Sequence, residues 1–184
     1  NANANKGNSS SESGDASDFA QVLFKVARLT EVTKHPDSEK LYIIQADLGG
    51  DESRQIVAGL QKFIPADQLA NRIVVVVANL KKAKLAGVAS QAMILAADYP
   101  DEAGPGGVSV KTLEPPQGSQ PGDIVFLEGS APAEKYAKQI SSKIWQKVVP
   151  CLKAAGGFAS FNGTPFAVGA GKVAVPAPDG AGIH

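Results

Sequence analysis

The chain has 184 residues, 43% of them hydrophobic, with 18 basic and 18 acidic side chains and a formal charge of zero, which suits a globular chain of one domain or slightly more. No run approaches the roughly 18 apolar residues of a membrane span, no charged-then-apolar leader is visible, and one cysteine with two histidines builds neither an internal disulfide nor a familiar zinc spacing. The expectation is a cytoplasmic protein with no membrane, metal or cofactor, and the absence of an initiator methionine reads as a piece of something longer.

Residues 1–18, NANANKGNSSSESGDASD, carry almost no large apolar side chains and read as a disordered linker. From Phe19 the texture changes. VLFKVARLTEV predicts a long strand, EKLYIIQADLG a second after the His35-Pro36-Asp37 turn, and SRQIVAG a third. Gly49-Gly50-Asp51 predicts a hairpin between the second and third. A short helix is expected near Pro65, since proline suits a first helical turn. RIVVVVAN and SQAMILAA follow as strands four and five around a turn bearing Lys81, Lys82 and Lys84. Val74–Val77 shows no alternation, so that strand is expected to be buried on both sides, with something packed outside the sheet.

Three strands, a helical plug and two further strands predict an all-β class: a five-stranded Greek-key barrel of the oligonucleotide-binding type (OB-fold) over residues 19–127. Residues 128–184 predict a smaller C-terminal α/β lobe packed on the barrel. Its helix is expected over AEKYAKQISSKIWQKVV, with apolar spacing at Tyr136, Ile140, Ile144 and Val148, and its hairpin at Asn162-Gly163.

The zero net charge hides segregation. Residues 20–97 carry ten basic against seven acidic side chains, residues 98–133 one against six, and residues 134–175 six against one. Phosphate responds to local potential, screened over about 8–10 Å at physiological salt. Lys81, Lys82 and Lys84 on a turn suit a phosphate backbone followed without reading sequence; their bland alternative is a charged edge that blocks strand-to-strand aggregation. Gly87, Ser90, Gln91 and Met93 come next, so charge, hydrogen bonding and a soft apolar contact lie within about fifteen residues, a mixture suited to single-stranded or looped RNA. Asn79 either meets a base edge or shapes the turn. Lys25, Arg28 and Lys34 lie on or just after the first strand, where alternation sets Lys25 and Arg28 on opposite faces unless a bulge intervenes. His35 is expected to be a structural bridge, Asp37 to stabilise the same turn, and Trp145 to pack between lobes. Lys135, Lys138, Lys143 and Lys147 either extend a phosphate-binding footprint or form the wet face of a helix. No Ser-His-acid order, phosphate loop or activated cysteine setting supports enzymatic chemistry.

These segments resemble a known family: tRNA-binding domains similar to endothelial monocyte-activating polypeptide, found also as appendices of methionyl- and tyrosyl-tRNA synthetases and as small bacterial proteins. The likeness runs from about Val22 to His184. It rests on His35-Pro36-Asp37 with Leu41-Tyr42, Val57-Ala58-Gly59-Leu60, Asn79-Leu80-Lys81 with Lys84, Gly87 through Met93, Pro115-Pro116 with Pro121-Gly122-Asp123, and, in the tail, Lys143-Ile144-Trp145, Gly163, Pro165-Phe166 and Gly182-Ile183. The resemblance implies a non-catalytic, largely sequence-independent tRNA-binding module that serves a fused or docked aminoacyl-tRNA synthetase. It also implies a monomer, because in the longer version the extra lobe covers the face through which the bacterial proteins dimerise. The implied tRNA site is Lys25, Arg28, Lys34, Asn79, Lys81, Lys82, Lys84, Ser90, Gln91 and Met93. A released cytokine-like fragment or a protein-docking scaffold is the alternative. The chain departs from the family at Leu23, where an acidic residue is usual, and at Ala27, where a glycine is usual; Lys25 keeps the basic position.

Overall fold

The computed structural model describes residues 14–184. Residues 1–13 of the expected linker lie outside the described residues, and the linker reading needs correction from Gly14 onward. Asp15 caps a one-turn helix, α1 (Ala16–Phe19), accepting from the Ser17 and Asp18 amides while Asp18 returns a bond to the Asp15 amide. The Gly14 amide donates to Lys147 O at 2.8 Å. What orders this polar stretch is Phe19, 5% exposed and stacked on Phe24 at 4.8 Å: one aromatic anchor offsets the ordering of its neighbours.

The chain continues through β1 (Phe24–Lys34), β2 (Tyr42–Asp47), β3 (Ser53–Ala58), α2 (Ala66–Leu69) and β4 (Ile73–Val77). The predicted fifth strand is broken into pieces. β5 (Ala83–Leu85) and β6 (Val88–Ser90) form a small hairpin of their own; β7 (Met93–Ile94) pairs with β4; β8 (Ala96–Pro100) leaves for a second sheet. The barrel sheet has the order β3-β2-β1-β4-β7, all pairs antiparallel. The Gly49 turn joins β2 to β3 as expected. Gly49 has φ +94°, and a Cβ there would lie 2.5 Å from Pro121 O, so only glycine lets this turn stack on the Pro121-Gly122 loop.

The second, curled sheet draws on β9 (Val108–Thr112), β10 (Phe126–Leu127), β11 (Leu152–Ala155), β12 (Phe158–Phe161), β13 (Thr164–Val168), β14 (Gly171–Lys172) and β15 (Gly182–Ile183), besides β8. Its order is β10-β13-β12-β11-β15-β8-β9, with β14 on β13. This sheet is continuous across residue 127: β8 pairs with β15 and β10 with β13, so strands from both sides of that position share it. Asn162-Gly163 turns β12 into β13, as the sequence predicts.

The Val74–Val77 reading holds in detail. Val74 and Val76 point into the barrel core with Leu29, Ile44 and Ile56, whereas Val75 and Val77 point out to a second core shared with the curled sheet. Phe24 and Val26 join them, against Phe161, Phe166 and Val173. Trp145 packs on this inter-sheet core, its ring 6.4 Å from Phe24.

The long helix expected over residues 133–149 is shortened to α3 (Ser142–Val148), capped by Ser141, whose hydroxyl accepts from the Ile144 amide. Residues 133–141 are irregular because tertiary partners take their backbone groups: the Ile140 amide donates to Asn79 O at 2.9 Å, and Ala137 O accepts from the Asn79 side chain. Local spacing was overridden by hydrogen bonds 58 residues away in sequence.

Candidate nucleic-acid interface

The barrel does not close by a regular backbone ladder between β3 and β6; side chains and a single backbone bond complete it. Ser90 Oγ accepts from the Val57 amide at 3.0 Å and donates to Ala92 O at 3.0 Å. Gln91 Oε1 accepts from the Gln55 amide at 3.1 Å, its own amide donates to Gln55 O, and Gln55 Nε2 donates to Ala89 O. Two of the predicted ligand-facing residues are thus the clasp of the barrel. Ser90 is 7% exposed with its hydroxyl proton engaged. The Nε2 of Gln91 makes no hydrogen bond among the described residues and stands on the wall of a groove.

That groove, of about 730 Å³, opens at the end of the barrel where β3 begins. Its wall is Glu52 from the β2–β3 turn, Arg54 from the start of β3, Lys81 and Lys82 from the segment after β4, and Lys138 and Gln139 from the irregular segment before α3. Lys25, at the start of β1, reaches the same place through Glu52: the Lys25 Nζ lies 3.4 Å from Glu52 Oε2, and Arg54 Nη2 lies 2.5 Å from Glu52 Oε1. Arg54 also donates through Nη1 to the carbonyls of Ala78 and Gln91. Arg54 follows from strand alternation, since Ile56 points into the barrel core and Arg54, two positions earlier, shares its face at the open end. With Asp51 included, five cations face two carboxylates. Lys81, Lys82 and Lys138 are exposed and belong to no ion pair among the described residues.

The remaining expected site residues are dispersed. Asn79 is 1% exposed, accepting from the Leu23 amide and donating to Gln21 O and Ala137 O. No group of its side chain is left for a base edge, so the turn-shaping alternative is the one realised. Lys25 and Arg28 stand on opposite faces of β1, as alternation predicts, because the register shift falls later, between Leu29 and Glu31. Lys34 sits at the far end of β1, about 30 Å from Lys25 at ~3.3 Å per residue, beside the His35-Pro36-Asp37 loop. Lys84 lies on the exposed β5–β6 hairpin. Met93 is half-buried on β7 and lines a cleft of about 380 Å³ with Val57, Leu60, Phe63 and Leu85.

His35 is the bridge that the sequence suggested. The Asp37 amide donates to its Nδ1 at 3.0 Å, which leaves the ring proton on Nε2; that nitrogen lies 3.1 Å from Ala86 O, to which it donates. The contact pins the tip of the β5–β6 hairpin, whose two-residue turn has positive φ at both Ala86 (48°) and Gly87 (80°). The sequence reading passed over Arg54 and Gln139 and left Lys138 undecided. The alternation of β3 was the signal for Arg54; nothing in the local sequence signals that residues 138 and 139 meet residues 81 and 82.

Residues 24–124 match the family model described as "Putative tRNA binding domain". The chain belongs to this tRNA-binding domain family. It is 36% identical over 171 residues, 92% of its length, to the cytoplasmic methionine–tRNA ligase of Caenorhabditis elegans. It is 35% identical over 152 residues, 82% of its length, to the aminoacyl tRNA synthase complex-interacting multifunctional protein 1 of Cricetulus griseus. The matches span only 18% and 40% of those two relatives. Among solved structures, the C-terminal domain of Plasmodium vivax p43 superposes with a TM-score of 0.81 at 25% identity, covering 90% of this chain and 98% of that one. The family match ends at residue 124, so Lys81 and Lys82 lie inside the matched tRNA-binding domain and Lys138 and Gln139 beyond it.

Proposed function

We propose that this chain is a non-catalytic module that binds the outside of folded tRNA and delivers or retains it for an aminoacyl-tRNA synthetase to which it is fused or docked, in the cytoplasm and as a monomer. The observation that carries this reading is the groove at the barrel mouth. There the two basic blocks of the sequence meet, with Lys81 and Lys82 from one and Lys138 from the other exposed around Arg54. Exposed lysines contact phosphate without reading bases, so recognition is led by shape and charge. Holding tRNA beside a synthetase raises its effective concentration there without any chemistry in the module itself. The methionine–tRNA ligase and the synthetase-complex protein among the relatives favour this reading over a signalling fragment.

Lys25, Lys81, Lys82 and Gln91 form the proposed contact set at the groove, with Arg54 and Lys138 added, and Lys84 contributes from the exposed β5–β6 hairpin. Arg28, Lys34 and Met93 lie away from the groove, and Ser90 supports Gln91 from behind.

The test is a titration with mixed tRNA at two salt concentrations, with duplex DNA as competitor. Micromolar or tighter binding that weakens with salt and resists the DNA is expected. Changing Lys81, Lys82 and Lys84 together to Glu should weaken it by two orders of magnitude or more, about 1 kcal/mol per reversed contact, at an unchanged melting temperature. Retention of binding by that variant would remove the groove from the function.

A further inference from the structure

Most of the groove's cations are free, but two are not. Glu52 spreads one carboxylate across Lys25 and Arg54, a separate oxygen to each. A phosphodiester offers the same pattern: one negative charge on two non-ester oxygens, each able to accept from a different cation. The carboxylate is held there by its backbone, since Glu52 closes the β2–β3 turn, its amide donating to Gly49 O and its carbonyl accepting from the Leu48 amide. Arg54 is fixed independently, through the carbonyls of Ala78 and Gln91, and the Lys25 stem rises from a strand paired on both sides. Arg54 therefore keeps its position whether or not Glu52 lies beside it, and Lys25 stays rooted next to it with an ammonium free to follow either anion. The side chains of all three are partly open to solvent, at 19%, 35% and 25% exposure for Lys25, Glu52 and Arg54, and an incoming anion can reach them from the groove.

We propose that Lys25 and Arg54 form a phosphate site at the barrel mouth and that Glu52 is its internal occupant, a built-in competitor that an RNA phosphate must displace. This rests on the tRNA reading above and adds to it a device that sets affinity. Binding exchanges a Glu52 carboxylate for a phosphate on the same two cations, so the site contributes little net affinity while it rejects anions that bring no further contacts. A tRNA that also engages Lys81, Lys82 and Lys138 can afford the exchange. A small free phosphate cannot.

The experiment is Glu52→Gln, which keeps the side chain's size and removes its charge, titrated with mixed tRNA over a range of salt beside the wild-type chain. The expected result is tighter binding, about fivefold at low salt for one unopposed charge near an exposed site, with a steeper dependence of log K on log salt because no freed carboxylate stays beside the bound phosphate to offset its neutralisation. Unchanged or weaker binding, with an unchanged slope, would overturn the proposal, and would mean that Glu52 instead orients the two cations. Binding by the wild type with no gain in the variant removes only the role of Glu52; absence of tRNA binding by both removes the tRNA reading with it. Should Glu52→Gln fail to fold, Glu52→Asp serves in its place. One methylene shorter, it sets the carboxylate back from the two cations, and it must shift affinity in the same direction for the proposal to stand.

Discussion

Asn79 is a single residue on which three parts of the molecule depend. It joins the segment after α1 through Gln21 and Leu23, the end of β4 through its own backbone, and the segment before α3 through Ala137 and Ile140. A buried amide with both donors and its acceptor engaged is costly to replace, because each partner is left unpaired. Asn79→Ala is expected to lower stability by about 2–3 kcal/mol, read as a shift in the denaturant midpoint, and to weaken tRNA binding through misplacement of Lys81, Lys82 and Lys138. A stability loss below about 0.5 kcal/mol would contradict that role. Asp101 supplies a residue-scale effect of pH. The Ser109 hydroxyl, then the Ala103 amide and the Lys111 charge, hold its carboxyl below the ordinary 3.8 against some desolvation. Because the folded value is depressed, the contribution is fully present above pH 3.8 and disappears as pH falls through the folded value. The protection of the Ala103 amide, measured against its intrinsic exchange rate at the same pH, should therefore fall in acid below about pH 3.8, and protection that does not change with pH there would refute the link.

The β5–β6 hairpin is an element that cannot stand alone: three residues a strand, all of β5 exposed, and an alanine forced to φ 48° at its turn. It is held at the tip by His35 and at the base by Ser90 and Gln91. His35→Ala should release the tip at a cost of about 1–2 kcal/mol, seen first as faster exchange of the Leu85 and Val88 amides, the closing pair of the hairpin, with weaker tRNA binding and little change in the barrel strands. Undisturbed hairpin exchange would place the hold elsewhere. α1 makes the complementary point. Its sequence has the composition of a linker, yet Phe19 contacts Phe24, Phe161 and Phe166 with ring centroids 4.8–5.4 Å apart, and that aromatic cluster gives a four-residue helix a place to stand.

For the whole molecule, the outer face of β1 and β4 is covered by the chain's own second sheet. Phe24, Val26, Val75 and Val77 are all within 2% of complete burial in that shared core. That face is closed to a second copy, which is the ground for the proposed monomer. Light scattering on the full chain is expected to give a mass near 18.9 kDa; a dimer would show that another face associates.

The sequence by itself determined the first four barrel strands, the two-sided burial of Val74–Val77, the hairpins at Gly49-Gly50 and Asn162-Gly163, the bridging part of His35 and the presence of two basic blocks. These depend on local spacing, turn chemistry and composition, which a linear reading samples directly. Tertiary structure alone decided that Asn79 is buried, that Ser90 and Gln91 clasp the barrel, that residues 133–141 forgo a helix, and that Lys138 stands beside Lys81 with Arg54 behind them. These arrangements turn on hydrogen bonds of Arg54, Ser90, Gln91 and Asn79 that span 24 to 58 residues of sequence, and the free energy of a buried hydrogen bond between such partners exceeds the few tenths of a kcal/mol by which local propensity prefers one conformation over another.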